Sequence, residues 1–265
     1  MSIPANSAHA KSTHDNRVIL RRATLGAALL VAGFSPLAQA AEGDGWDWIV
    51  APYGWGVSIG TDLERTEPPA GGVSTDNNFD DIVDKLDGAF QIHIEGQEEH
   101  WGMFTDFTFL GLADEKDRQR FHTESDLDAR LFELAAVWSP GEGTYRGVDV
   151  FAGLRYIDVD LNVDFDPENP LFETTSFHAS QTFNDFMIGA RYTWALSDRW
   201  GVTVRGDGSF GDTEGTWNAS AVASYRMTHG AWLFGYRYLS VELDTGDSNT
   251  DLTLSGPMIG YGFMF

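Results

Sequence analysis

From residue 46 onward the sequence alternates apolar and polar side chains with a period of two, in runs of roughly ten residues broken by turn-forming clusters. No other feature restricts the fold as strongly. A period of two is that of a strand, whose successive side chains point to opposite faces. We read ten runs, over 46–59, 88–98, 101–112, 127–138, 147–163, 183–195, 199–210, 216–226, 231–243 and 251–265. The connections alternate in length. Those at 98–100, 140–146, 196–198 and 228–230 are short, and those at 60–87, 113–126, 164–182, 211–215 and 244–250 are mostly long.

The two faces of each run differ in kind. On the sixth, Phe186, Ile188, Ala190, Tyr192 and Trp194 oppose Asp185, Gly189, Arg191 and Thr193. On the ninth, Trp232, Phe234, Tyr236 and Tyr238 oppose Gly235 and Arg237. Apolar faces ending in aromatics, opposite faces of arginine and small residues, and short turns at one end predict an antiparallel up-and-down transmembrane β-barrel of about ten strands, within two either way. Trp46, Trp48, Trp101, Trp138, Trp194, Trp200 and Trp232 all fall at the short-turn end, the level of a membrane interface. In the fifth run, past Tyr156, this pattern inverts. Asp158, Asp160, Asn162 and Asp164 take the outward phase, and Ile157, Val159, Leu161 and Val163 the inward one. That hairpin is expected to project beyond the bilayer. No apolar run approaches the ~20 residues of a spanning helix, which excludes a helical membrane protein.

Residues 1–40 read as a secretory signal peptide. Arg17, Arg21 and Arg22 precede the apolar stretch 23–34, and Ala38-Gln39-Ala40 supplies a cleavage site. Residues 41–265 are then the barrel, in the bacterial outer membrane. The chain has 40 acidic against 17 basic residues and no cysteine. Its charge repels a phosphate backbone, so nucleic acid is no expected partner. Disulfides, thiolate metal sites and cysteine nucleophiles are excluded.

The negative charge lies in the loop-side segments: residues 60–87 carry 8 acids and 2 bases, and 158–185 carry 7 acids and no base. Three readings stay open for them. They could be a solvated surface, a set of carboxylates bridged by divalent cations to lipopolysaccharide phosphates, or a field drawing cationic solutes to a lumen. No EF-hand pattern occurs. Strand phase places Gln91, His93, Glu95, Asp106, Glu133, Asp149, Arg155, Arg191, Arg205, Asp207 and Arg237 inside the barrel. Such a set either braces a narrow lumen or forms a charged constriction.

No catalytic, cofactor or metal residues are assigned. His178-Ala-Ser180 resembles the His-x-Ser of lipid A deacylases, but Tyr192 stands where that family places its orienting acid. Asp158 and Asp160, with His122 and His178, do not match the spacing of the outer-membrane proteases. The last strand ends on Tyr261, Phe263 and Phe265 in one phase, which resembles the C-terminal signal read by the barrel assembly machinery.

The stretches Phe186-Met-Ile-Gly-Ala-Arg-Tyr-Thr-Trp, Leu196-Ser-Asp-Arg-Trp, Arg205-Gly-Asp-Gly-Ser-Phe-Gly, Thr216-Trp-Asn, Gly235-Tyr-Arg-Tyr-Leu-Ser-Val and the ending Leu254-Ser-Gly-Pro-Met-Ile-Gly-Tyr-Gly-Phe-Met-Phe resemble a largely uncharacterised family of proteobacterial outer-membrane β-barrel proteins. The resemblance is strongest over 186–265 and implies fold and location but no reaction. The expectation is a monomeric, non-enzymatic barrel acting as a narrow diffusion channel or an envelope-structural protein. The alternatives are a surface adhesin or receptor acting through the loops, and a lipid A-modifying enzyme. Expected partners are outer-membrane lipid, lipopolysaccharide, the barrel assembly machinery with periplasmic chaperones, and divalent cations.

Overall fold

The computed structural model describes residues 45–65, 72–77, 79–118, 121–141, 144–167, 175–244 and 248–265. The expected signal peptide lies outside them. Twelve strands and one short helix follow in chain order: β1 (Asp47–Trp55), β2 (Ser58–Arg65), β3 (Gly72–Asn77), α1 (Phe79–Val83), β4 (Leu86–Glu98), β5 (Trp101–Arg118), β6 (Phe121–Trp138), β7 (Gly147–Pro167), β8 (Thr175–Ala195), β9 (Trp200–Gly211), β10 (Gly215–Arg226), β11 (Gly230–Asp244) and β12 (Ser248–Met264). All form one antiparallel sheet, which closes on itself because β1 pairs with both β4 and β12. The closed wall has ten strands, β1 and β4 through β12. Closure leaves the ten-stranded wall without a free edge, the condition for crossing hydrocarbon with strands.

The exterior is apolar. Leu154, Ile188, Ile259 and Phe210 are each more than half exposed, and all take the outward phase. At the short-turn end the outward tryptophans Trp48, Trp101, Trp138, Trp194, Trp200 and Trp232 form a lower girdle. Nearer the other end Trp217 stacks on Tyr238 at 4.6 Å and Phe186 meets Phe210 edge-on at 5.7 Å. Two aromatic belts around an apolar band are the exterior of a transmembrane barrel.

Beyond the upper belt the wall continues, and here the sequence reading needs correction. Segments 113–126 and 164–182, expected as loops, are largely strand. The pairing of β5 with β6 runs unbroken from Leu112↔Leu127 to Arg118↔Phe121, and β7 pairs with β8 as far as Phe165↔Thr175. Acidic and turn-type residues suggest loops there. The reversal of polarity expected past Tyr156 is found in β7, where the exterior is water. Asp158 faces outward, bound by Arg130 Nη1 at 2.7 Å and Thr182 Oγ1 at 3.1 Å, while Ile157 packs into the interior.

The first expected strand, 46–59, is interrupted. β1 and β2 both pair with β12 but are separated at Gly56 and Val57. The Gly56 N–H donates to the Pro257 carbonyl at 2.8 Å. A Cβ on Gly256 would collide with the Gly56 carbonyl, so the strands approach this closely only because Gly256 lacks a side chain. Pro257 has no N–H to offer the ladder and sits at this irregularity, where sheets tolerate proline. Segment 60–87, also expected as a loop, holds β2, β3 and α1. β3 pairs with β2 above the level at which β4 leaves β1, at Tyr53↔Gln91.

Candidate functional site

The inward phase of the ten wall strands converges on a lumen filled in layers. At its centre Glu133, with no exposed surface, accepts hydrogen bonds from three arginines. Arg155 donates through Nε at 3.0 Å and Nη2 at 2.7 Å, Arg205 through Nη2 at 2.8 Å and Arg237 through Nη2 at 3.1 Å. Asp207 is bound by Arg155, by Arg205 Nε at 2.6 Å and by Asn218 Nδ2 at 2.7 Å. Asn218 in turn accepts from Arg237 Nε at 2.9 Å. Glu133 on β6 and Arg237 on β11 come from opposite walls, so these bonds cross the barrel. A buried ion pair is stable only when the remaining donors and acceptors are also satisfied. Here the Thr216 hydroxyl accepts a hydrogen bond from Arg155 Nη1 at 2.6 Å, and Tyr53 donates to Asp106 at 2.8 Å.

A second cluster lies towards the short turns. Arg191 forms a two-pronged pair with Glu95 and donates to Asp149 through Nε at 2.7 Å. Gln97 donates to Glu95 at 3.0 Å, and Ser139 to Asp149 at 2.6 Å. His93 links the two clusters, lying 3.1 Å from Glu95 and 3.2 Å from Asp106. The turn between β6 and β7 is latched below them: the Tyr145 N–H donates to Gln97 at 2.9 Å and its hydroxyl to the Asp47 carbonyl at 2.5 Å. Tyr145 holds a left-handed backbone, φ 56°. Burial, reinforced by the charge of Glu95, raises its phenol pKa above the ordinary value.

Two apolar layers complete the filling. Phe104, Ala135, Val137, Phe151 and Met187 pack together on the β5–β8 side, with the Arg205 guanidinium lying 5.0 Å from the Phe104 ring and 4.9 Å from the Phe151 ring. Above the charged layer, Trp55, Val57, Leu131, Leu239 and Val241 form a cap that joins β1 and β11 to β6 across the lumen. Facing β1, β11 and β12 below the charges, a cavity of about 250 Å³ remains.

Every ion that strand phase assigned to the interior lies in these clusters. The neutral partners Tyr53, Gln97, Ser139, Asn218 and Thr216 are not singled out by the sequence reading, although they share the inward phase. Asp185, seen on the polar face, is also buried, held by Ser209 Oγ at 2.9 Å and Thr213 Oγ1 at 2.5 Å.

The chemistry considered for the upper hairpin finds a different setting. His178 and Ser180 lie on the exposed face of β8, and His178 Nδ1 is 2.6 Å from Asn162 Oδ1 and 3.5 Å from Asp160. Asp160 pairs in register with Ser180. These groups share one outward face of one hairpin. The side chain of His122 is outside the described set. Among the described residues, no group of three His, Cys, Asp or Glu side chains is placed to hold a metal ion. Tyr261, Phe263 and Phe265 lie on the outward phase at the end of the chain, and Phe265 exchanges backbone hydrogen bonds with Trp48 at 3.0 and 3.2 Å.

No protein-family model matches the sequence, and no curated protein matches it. Solved structures do. The outer membrane protease OmpT from Escherichia coli matches with a TM-score of 0.52 at 9% identity, over 83% of this chain and 97% of that one. The translocator domain of the autotransporter NalP from Neisseria meningitidis matches at 0.40 and 13% identity, over 85% and 90% of the two chains. Ail, the attachment invasion locus protein of Yersinia pestis, matches at 0.37 and 11% identity, over 84% and 99%. At 9% identity the likeness to OmpT is one of fold. With its belted apolar exterior, the chain is an integral β-barrel of the bacterial outer membrane.

Proposed function

We propose that this protein is a non-enzymatic, envelope-structural barrel whose lumen is closed at rest. The observation that carries this reading is the complete burial of Glu133 and Arg155 at the centre of a bonded network spanning the lumen. A conduit needs water along its whole length, and a ten-stranded barrel is near the size that side chains fill. The narrow diffusion channel is the competing reading, with the same residues as its constriction. Single-channel recording of residues 41–265 in a planar bilayer separates them. A folded barrel silent across voltages supports the closed reading, and discrete cation-preferring steps would overturn it.

A second reading, a surface receptor or adhesin, draws support from the strand-built extension with its acidic exterior around Asp158 and Asp160. It predicts that shortening β7 and β8 above Asp158 abolishes binding to a host or cell surface while the barrel still folds. Lipopolysaccharide phosphates, bridged by divalent cations, suit the same acidic surface. A lipid A-modifying activity would rest on His178 and Ser180, whose side chains face outward without a bond between them. The terminal aromatics suit recognition by the assembly machinery and periplasmic chaperones, and the closed wall suits a monomer. Membership of the proteobacterial family that the second-half motifs resemble belongs to this same proposal.

A further inference from the structure

The cavity of about 250 Å³ is a blind pocket at the short-turn end, the periplasmic end of such barrels. Its roof is the charged layer, where Arg191, Arg205 and Arg237 are neutralised by Glu95, Asp149, Glu133 and Asp207. Its walls exist because one side of the lumen is built from small residues. Where β5 to β8 project Phe104, Phe151 and Met187, β1, β11 and β12 project Ala51, Ala231, Gly235, Gly260 and Gly262. Val222, Leu233 and Met258 supply the apolar surface between.

The mouth differs in charge from the rest of the molecule. Arg146, Arg199 and Arg226 surround it. Among the described residues, Arg146 and Arg226 form no ion pair, and Arg199 donates to the Tyr225 hydroxyl at 3.2 Å. Asp198 lies beside them, and Asp47 is bound by the Thr144 hydroxyl at 2.6 Å. Arg146 and Arg226 are exposed to solvent, so their guanidinium groups are open to an anion arriving from outside the chain.

We infer that this pocket binds a small amphipathic anion from the periplasmic side. The apolar body lies against Leu233, Val222 and Met258, and the anionic head sits between Arg146 and Arg226. The volume exceeds that of an engineered cavity known to hold benzene, ~150 Å³, and falls just short of the ~300 Å³ of the smaller ligand pockets. It suits a body of one or two rings, or a short acyl chain. The inference holds whether or not the lumen conducts.

Anilinonaphthalene sulfonate is a suitable probe, with the full barrel in phosphatidylcholine nanodiscs and empty discs as the blank. Saturable binding is expected. Leu233→Trp or Val222→Phe, which fill the pocket and keep its charges, should abolish it. Arg146→Gln with Arg226→Gln should weaken it about tenfold while leaving binding of uncharged phenylnaphthylamine unchanged. A heat-dependent gel shift verifies that each variant is folded. Displacement by octanoate would identify a free anion as the occupant. Loss of probe binding in discs containing phosphatidylglycerol would identify a lipid phosphate headgroup. Both outcomes support the site. Equal binding by the wild type and both filled variants, or an unchanged affinity without the two arginines, would overturn it.

Discussion

Glu133 on β6 and Arg155 on β7 face each other in register across adjacent strands, and both side chains are fully withdrawn from solvent. Their bond is 2.7 Å long, and Glu133 is shared with Arg205 and Arg237. One carboxylate thus anchors three cations, so its loss should cost far more than that of an exposed ion pair.

Removing one member of a buried pair typically costs about 3–5 kcal/mol, whereas replacing both with apolar groups is often near neutral. Glu133→Gln is therefore expected to destabilise the barrel by several kcal/mol, and Glu133→Leu with Arg155→Met by less. Urea unfolding in lipid vesicles measures both. If the single variant proved the more stable of the two, the network would not have the role assigned to it.

Two leucines test the inversion of polarity. Leu131 is 7% exposed within the apolar cap, and Leu154, on the lipid face, is 59% exposed. Leu131→Ala should cost about 2–5 kcal/mol, the usual loss for a truncated core residue. Leu154→Ala exchanges one apolar surface for another and should cost a small fraction of that. Paired unfolding curves decide the matter, and equal losses would place the cap outside the stabilising core.

Glycines offer a second contrast. A Cβ on Gly153 would overlap the Leu134 carbonyl and Ala135, across the contact between β6 and β7. A Cβ on Gly206 would meet nothing within 4 Å. Gly153→Val should fail to yield the heat-shifted, folded band on a gel. Gly206→Ala should fold at the wild-type yield.

The wall of this barrel was legible in the sequence because lipid enforces a strict alternation. Phe186, Ile188 and Trp194 could point only one way. The ionic interior was legible by the same phase. The extension was harder to read. Past Tyr156 the alternation of Ile157, Val159 and Leu161 with Asp158 and Asp160 marks a strand of inverted polarity, but Asp126 and the residues from Asp164 onward read as connections, because acidic and turn-type residues suggest loops. The neutral bridges through Asn218, Thr216 and Tyr53 were not legible, because amides and hydroxyls occur on both faces. Nor could strand phase reveal the break at Gly56, which arises from close contact with Gly256, two hundred residues away in the chain.

On the proposed closed reading, two of the layers that fill the lumen act as seals in series, which yields a prediction about opening it. Arg155, Arg205 and Glu133 form the lower seal, and Trp55, Leu131 and Leu239 the upper one. Arg155→Ala with Glu133→Ala removes a cross-lumen tie but leaves the cap, so it should produce no conductance. Trp55→Ala with Leu131→Ala opens the cap above an intact charged layer and should also stay silent. The four substitutions together should admit water along the whole axis and give discrete steps in a planar bilayer. Conductance from the first pair alone would mean that the cap is permeable and that the charged layer is the constriction of a working channel.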